Sequence, residues 1–123
     1  MQASEMNLLQ CRDFIANANG WTFETHHKYR TPFPVWTHAT EPMRNEHHHP
    51  IGHDLDAAAA AMPERFTQSI EQYETGWTAK AMSWDCTLNT GVIEADTELL
   101  ARFRLAVACR QAIAAVDGEG KAT

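Results

Sequence analysis

Apolar residues recur at helical spacing near the beginning of the chain. The repeating positions are Leu8, Cys11, Ile15 and Ala18, with Phe14 widening the stripe. Steps of three and four residues place these side chains on one face of a helix. Ser4 is a suitable N-cap and Gly20 a suitable stop, so the pattern predicts a first helix from about residue 5 to residue 19.

The most strongly periodic segment lies near the other end, over residues 97–117. Asp96 or Thr97 can cap this closing helix, and Gly118 can end it, which leaves a frayed tail from about residue 118. Its predicted core face consists of Leu99, Phe103, Ala106, Ile113 and Val116.

Between these helices the pattern alternates instead. Residues 65–84 alternate before and after the turn sequence ETG, which is the signature of a β-hairpin. Phe66, Gln68 and Ile70 alternate with Arg65, Thr67 and Ser69 before the turn, and Trp77, Ala79 and Ala81 alternate with Thr78, Lys80 and Met82 after it. Trp77 and Trp84 are seven positions apart, so one is predicted to be in the core and the other exposed.

The sequence of residues 21–37 also predicts extended structure, because its segment TPFPV cannot lie inside a helix. We expect two short segments joined by a turn, with Trp36 packing on Trp21 or Phe23 across the pair.

A short helix is predicted over about residues 54–62, with Asp54 as N-cap, an alanine-rich body and Pro63 just past its end. The order from residue 54 onward is then helix, strand, strand, a loop or third strand over residues 86–96, and helix. Each apolar face has to be buried, so we predict one α+β domain over residues 1–123, with a small antiparallel sheet covered by helices.

Composition and charge narrow the class of protein. No apolar run is long enough to span a membrane, and the N-terminal residues do not resemble a secretion signal, so we expect a soluble cytoplasmic protein. The three cysteines, Cys11, Cys86 and Cys109, are widely spaced and indicate reduced thiols rather than disulfides or a zinc ribbon.

The net charge of −6 is concentrated in the middle of the chain. Residues 54–99 hold nine acidic residues against two basic ones, a balance of −7. Such a segment repels phosphates and attracts basic surfaces, which argues against direct binding to nucleic acid and in favour of a basic protein partner. The same balance would also serve simply to keep a small protein soluble.

Four of the seven histidines fall in the stretch NEHHHPIGHD, residues 45–54. The candidate metal ligands are His47, His48, His49 and His53, with His26, His27 or His38 as additional donors. Their spacing matches no HExxH or zinc-finger pattern. Two explanations of the cluster are open. It is either a polar loop of neutral histidines, which would bind zinc or nickel weakly and adventitiously, or the metal site of a metal-dependent enzyme.

Other catalytic patterns are missing from the sequence. GxSxG, P-loop and GxGxxG motifs do not occur. Asp85 next to Cys86 would raise the pKa of that thiol rather than activate it. We therefore expect a protein without enzymatic activity.

Several short motifs resemble the phage ABA sandwich family of small phage and prophage proteins. They are the LDAA sequence of residues 55–58 before Pro63, Trp77 followed by Ala79 on the second strand of the hairpin, LAVACRQA at residues 105–112, and NGWTF at residues 19–23. The resemblance covers roughly residues 12–116. It implies an α-β-α sandwich and a phage or prophage origin, and it brings no activity or cofactor; the histidine run is richer than the pattern needs.

These observations together favour a protein that binds another protein in the cytoplasm of a bacterial host cell. The partner would be a host or phage protein, and the most concrete hypothesis is inhibition of a nucleic-acid-binding effector of an anti-phage system such as CRISPR-Cas. The candidate contact residues are Tyr29, Trp36, Asp54, Asp56, Glu71, Tyr73, Glu74, Trp84 and Asp85. The alternative is a divalent-metal-binding protein or metal-dependent enzyme built on the histidine loop.

Overall fold

The computed structural model describes residues 1–26 and 33–121. After a 3-10 turn at Ala3–Glu5, its elements are α1 (Leu8–Ala18), β1 (Thr22–His26), β2 (Phe33–Thr37), β3 (Arg44–Asn45), α2 (Leu55–Ala61), β4 (Phe66–Tyr73), β5 (Gly76–Ser83), β6 (Ile93–Ala95) and α3 (Glu98–Lys121). The strands form two antiparallel sheets, β1-β2-β3 and β4-β5-β6. The α+β class is confirmed.

Helix α1 is set by hydrogen bonds at both ends. Asn7 and Gln10 form a capping box, so the prediction of Ser4 as the cap is wrong. At the other end the Trp21 amide donates to the Ala16 carbonyl and Gly20 takes a positive φ of 94°, the geometry of a Schellman motif. The chain is thereby turned directly into β1.

The short helix α2 begins and ends as predicted. The Asp54 side chain accepts a hydrogen bond of 2.8 Å from the Ala57 amide. Its alanines leave room for close approach, and Ala58 and Ala61 are buried against the rest of the core. The carbonyl of Ala61, left free by the end of the helix, accepts hydrogen bonds from Arg110 of α3.

The hairpin β4-β5 forms where the alternation predicts it. Phe66 pairs with Ser83 and Tyr73 with Gly76, without a break between them. One face carries the even residues of β4 and the odd residues of β5, among them the buried Ala79 and Ala81, and it lies against the helices. The opposite face, which we call the outer face, carries the odd residues of β4 and the even residues of β5.

Helix α3 lies at the centre of the main core. It contacts α1, α2, the second sheet and the N-terminal turn. Thr97 caps it, and Phe103 and Ala106 are buried as predicted. Leu105 and Val107 are equally buried, so the helix has no single covering face: it is apolar on several sides because it has neighbours on several sides.

Two predictions about the end of α3 are wrong. The helix passes Gly118 and ends at Lys121, since one glycine costs a helix only about 1 kcal/mol and does not by itself stop it. Val116 is 49% exposed and does not belong to the core face. Within residues 1–26 and 33–121, every helix is too short or too polar to cross a bilayer.

Candidate partner-binding surface

The segment after β5, residues 83–88, is a tightly hydrogen-bonded turn that we call the strand-end loop. Asp85 Oδ1 accepts hydrogen bonds from the Ser83 hydroxyl at 2.6 Å, the Thr87 hydroxyl at 2.7 Å and the Thr87 amide at 3.1 Å. The Ser83 hydroxyl in turn accepts from the Leu88 amide at 3.0 Å. These contacts close the loop on itself.

The same hydrogen bonds act on the Asp85 carboxyl. They lower its pKa from an ordinary 3.8 to about 2, with the Ser83 hydroxyl as the largest cause. Asp85 therefore carries a negative charge at neutral pH and holds it at a fixed place in the loop. This carboxylate is exposed to solvent, so it is available to a basic group of a partner.

The backbone is also unusual at one residue of the loop and at one residue of the neighbouring segment before β4. Arg65 has a φ of 70° and Cys86 a φ of 62°, both in the left-handed region that residues with a side chain seldom adopt. The Trp84 amide donates a 2.8 Å hydrogen bond to the Arg65 carbonyl, which extends the β4-β5 ladder to the loop. Strain of this kind persists where the surroundings fix the backbone, and it is concentrated at functional sites.

Trp84 projects from this loop with 69% of its surface exposed. Trp77 is partly buried against the core, so the two side chains have the opposite environments that their spacing predicts. An open groove of about 560 Å³ lies beside Trp84. Its lining includes the apolar side chains Phe66, Leu88 and Ile113 and the charged residues Glu64, Arg65 and Asp85.

The turn end of the hairpin carries a second exposed aromatic residue. Tyr73 is 54% exposed, and its hydroxyl donates to the Glu71 carboxylate, which raises the pKa of the tyrosine. Gly76, directly opposite, has a φ of 151°, and a Cβ there would lie 2.7 Å from the Ala95 carbonyl oxygen. A groove of about 670 Å³ runs between this turn and β6.

Acidic side chains are distributed along the whole hairpin region. Of the nine acids in residues 54–99, all except Glu98 are exposed, and Glu98 pairs with Arg102 at 3.1 Å. Glu71 and Glu94 lie in one row across the outer face, on either side of Thr78. The charge identified in the sequence is therefore at the surface, and among the residues that the structure describes only Glu98 of these nine acids forms a salt bridge.

The predicted contact residues other than Trp36 fall into three groups. Glu71, Tyr73, Glu74, Trp84 and Asp85 are exposed on the hairpin and its loops. Asp54 and Asp56 are exposed at the start of α2, where Asp54 is occupied as the helix cap. Tyr29 lies outside the described residues.

Trp36 has to be removed from the contact residues. Only 4% of its surface is exposed, and its ring packs against Phe23 at 4.9 Å and His49 at 4.8 Å. The predicted pairing with Phe23 is confirmed, and that packing is the reason why Trp36 cannot reach a partner.

His49 is turned into the structure. Its Nδ1 accepts a 3.0 Å hydrogen bond from the Ile51 amide, so the ring proton is on Nε2 and is donated to Asp13 Oδ1 at 2.8 Å. His38 is held in the same way by the Thr40 amide and the Asn19 carbonyl. Both ring nitrogens of each histidine are thus already bonded.

The other three histidines of the cluster, His47, His48 and His53, are exposed. His47 lies 3.6 Å from Glu46, and 82% of its side chain is accessible to solvent. In the part of the chain that the structure describes, no three His, Cys, Asp or Glu side chains converge closely enough to hold a metal ion. His27 falls outside that part.

The cysteines divide into two environments. Cys11 and Cys109 are buried, and burial raises the pKa of each thiol to about 11. Both therefore pack as small apolar groups. Cys86 is exposed in the strand-end loop, and all three thiols are free.

Sequence reasoning missed the residues that fix and frame Trp84. Ser83 and Thr87 bind Asp85, while Arg65, Leu88 and Ile113 help to line the groove. The loop had a usable signal: a Ser and a Thr two positions before and after an Asp are typical of side-chain-closed turns. The role of Ile113 could not be read in this way, because it depends on where α3 passes the loop.

Comparison with known proteins identifies no relative: no family model matches the chain, and no curated protein or solved structure is significantly similar to it. The resemblance to the phage ABA sandwich family stays a hypothesis that depends on the short motifs given above.

Proposed function

We propose that this protein is a non-catalytic phage or prophage accessory protein that binds a basic surface of a bacterial or phage protein. Its specific target would be the nucleic-acid-binding effector of an anti-phage system, with CRISPR-Cas as the most concrete case. The observation that carries the proposal is Trp84, a large apolar side chain that is 69% exposed on a loop fixed by its own hydrogen bonds.

An exposed tryptophan on a rigid loop fits the energetics of binding. Tryptophan is among the residues enriched at the energetic centre of interfaces. Side chains and loops that are already ordered lose little entropy when a partner binds, so more of the contact energy appears as affinity. The neighbouring groove, lined by Phe66, Leu88 and Ile113, offers apolar surface that a partner side chain could cover.

The charge around Trp84 supports a basic partner. Asp85 and Glu64 line the groove together with the single base Arg65, and Glu71, Glu74 and Glu94 add exposed acidic residues toward the other end of the hairpin. A protein channel that holds nucleic acid is lined with Lys and Arg, and an acidic surface can occupy it in place of phosphates. Attraction of this kind raises association rates and weakens as salt screens it.

The test is affinity capture of partners from a bacterial lysate, followed by competition. We expect recovery of a nucleic-acid-binding effector whose binding to a labelled nucleic acid falls when the protein is added. Recovery should decline steadily as the salt concentration rises.

Matched variants separate this binding from nonspecific adhesion. Trp84→Ala is expected to reduce recovery, while Leu9→Ala, which also truncates an apolar side chain that is 55% exposed, should leave it unchanged. Capture of no protein, together with stoichiometric zinc and a hydrolytic activity that His48→Ala abolishes, would instead establish the metal-dependent alternative.

A further inference from the structure

Strand β4 lies at the edge of the second sheet and presents a row of free backbone groups. In the order β4-β5-β6 it has one neighbour, and its eight residues pair with β5 without a bulge. The Trp84 amide donates to the Arg65 carbonyl, so the odd residues of β4 bond to β5. Hydrogen bonding alternates along an antiparallel strand, so the even residues direct their N–H and C=O groups to the open edge.

The four residues at this edge are Phe66, Gln68, Ile70 and Gln72. Within residues 1–26 and 33–121, no group is placed to accept from or donate to their outward backbone atoms. An open edge usually carries a guard such as a proline, a bulge, a lysine or an inward-pointing charge. The sequence FTQSIEQY of β4 has none of these, and its charged residue, Glu71, points to the outer face.

We propose that this edge pairs with the same edge of a second copy of the chain. Two antiparallel β4 strands related by a two-fold axis at Ile70 would form one six-stranded sheet with all helices on the same side. Ile70 would then face its own copy, and Gln68 would face Gln72 of the second copy. These are the residues whose backbone groups are free, so each pair can exchange two hydrogen bonds.

The side chains in this register are compatible despite the net charge of −6 on each copy. Glu71 lies opposite Ser69 of the second copy, and Tyr73 lies opposite Thr67, so no acidic residue of the strand faces another. The half-buried Ile70 side chains meet at the axis, where they extend the apolar surface of the helix-covered face. A register centred on Ser69 would bring Glu64 opposite Glu74, a like-charge pair that the Ile70 register avoids.

Sedimentation velocity over a range of protein concentrations tests the association directly. Gln68→Pro removes a backbone N–H that faces the open edge and leaves the β4-β5 ladder intact. We expect it to raise the dimer dissociation constant by at least roughly tenfold, since two symmetric hydrogen bonds are lost. Gln68→Ala is the matched control, because it shortens the same side chain and keeps the N–H.

The charge at position 69 tests the register. Ser69→Glu would place an acid opposite Glu71 of the second copy, and Ser69→Lys would place a base there. The dissociation constant should rise roughly two- to thirtyfold for Glu and fall by a similar factor for Lys. Within one chain, position 69 lies opposite Lys80. Ser69→Glu should therefore raise the urea midpoint of unfolding while it weakens the dimer, and Ser69→Lys should lower the midpoint while it strengthens the dimer.

Amide hydrogen exchange gives an independent readout. The amides of Gln68, Ile70 and Gln72 should become slower to exchange as the concentration rises, whereas Ser69 and Glu71 should be protected at every concentration. A protein that stays monomeric throughout, or a dimer indifferent to Gln68→Pro and to the charge at position 69, would overturn the proposal. Protection that appears only after another protein is added would assign the edge to that partner and equally overturn it.

Discussion

Trp36 and Trp84 are the same residue type in opposite surroundings, and both were reasonable candidates for partner contact from sequence. Trp36 is 4% exposed, with Phe23 and His49 against its ring. Trp84 is 69% exposed on a loop whose polar groups bond to one another. The hydrogen bonds of His49 hold its ring against Trp36, whereas those of the strand-end loop hold the backbone from which Trp84 extends into solvent.

The histidine segment and the strand-end loop repeat this contrast. The segment rich in histidines looks like the chemical centre of the sequence, yet His49 is turned inward to Asp13 and Ile51. The loop around Asp85 looks ordinary, yet three hydrogen bonds converge on one carboxylate oxygen. The type of a residue determines which interactions its side chain can form, and the neighbouring residues determine whether that side chain is available to a metal or a partner.

The largest expected effects come from truncating the buried aromatic side chains. Trp36→Ala should cost about 3 to 5 kcal/mol of unfolding free energy, and Phe103→Ala, fully buried in α3, about the same. Trp84→Ala should change stability by no more than about 0.5 kcal/mol, because it leaves no cavity. Urea unfolding of the three variants measures the difference, and equal midpoints for Trp36→Ala and Trp84→Ala would remove the basis of the comparison.

The histidines should separate in the same way, with a smaller effect. His49→Ala deprives Asp13 and the Ile51 amide of their hydrogen-bond partner and opens space beside Trp36, so we expect a loss of about 1 to 3 kcal/mol. His48→Ala, the exposed control, should stay within about 0.5 kcal/mol of the original protein. A larger loss of unfolding free energy for His48→Ala than for His49→Ala would contradict the hydrogen bonds of His49 to Asp13 and Ile51.

Much of the fold could be predicted because local patterns agree with it. The alternation around ETG predicts the β4-β5 hairpin, and Asp54 and Thr97 cap their helices as expected. The face of α3 could not be predicted, since burial on several sides removes the one-sided pattern. Hydrogen bonds between separate elements could not be predicted either. Arg104 of α3 donates to the carbonyl of Met6, which is far away in sequence, and to the carbonyl of Glu94 in β6.

The candidate surface was predicted in part. The aromatic and acidic character of the hairpin follows from its composition, and the spacing of Trp77 and Trp84 predicts that one of them is exposed, without saying which. What the sequence does not state is that Asp85 is held by Ser83 and Thr87, or that Ile113 passes beside the loop. The first is a local feature with a weak signal, and the second depends entirely on tertiary structure.

The strand-end loop should respond to acid below the usual range of a carboxyl. Asp85 has a folded-state pKa of about 2 against an ordinary 3.8, so its stabilising contribution is complete above about pH 4 and is lost as the pH falls toward 2. Ser83→Ala and Thr87→Val should each move this pKa upward. NMR titration of the Asp85 side chain measures it, and a value near 3.8 in the unaltered protein would contradict the hydrogen-bonded loop.

The smallest expected effect is that of a metal chelator. If the exposed histidines bind divalent metal only weakly, the melting temperature should be the same with and without chelator, since ligands that stabilise the folded state must raise it. A fall of many degrees on chelation would favour the metalloprotein alternative and restore the histidine segment as the functional centre.

The role of Trp84 in partner binding is tested by the quantity of effector recovered by the original protein, by Trp84→Ala and by Leu9→Ala from the same lysate, with each variant first shown to be folded. We expect recovery with the original protein and with Leu9→Ala, and a marked loss with Trp84→Ala. Equal recovery by all three would show that the exposed tryptophan of the strand-end loop does not bind the partner.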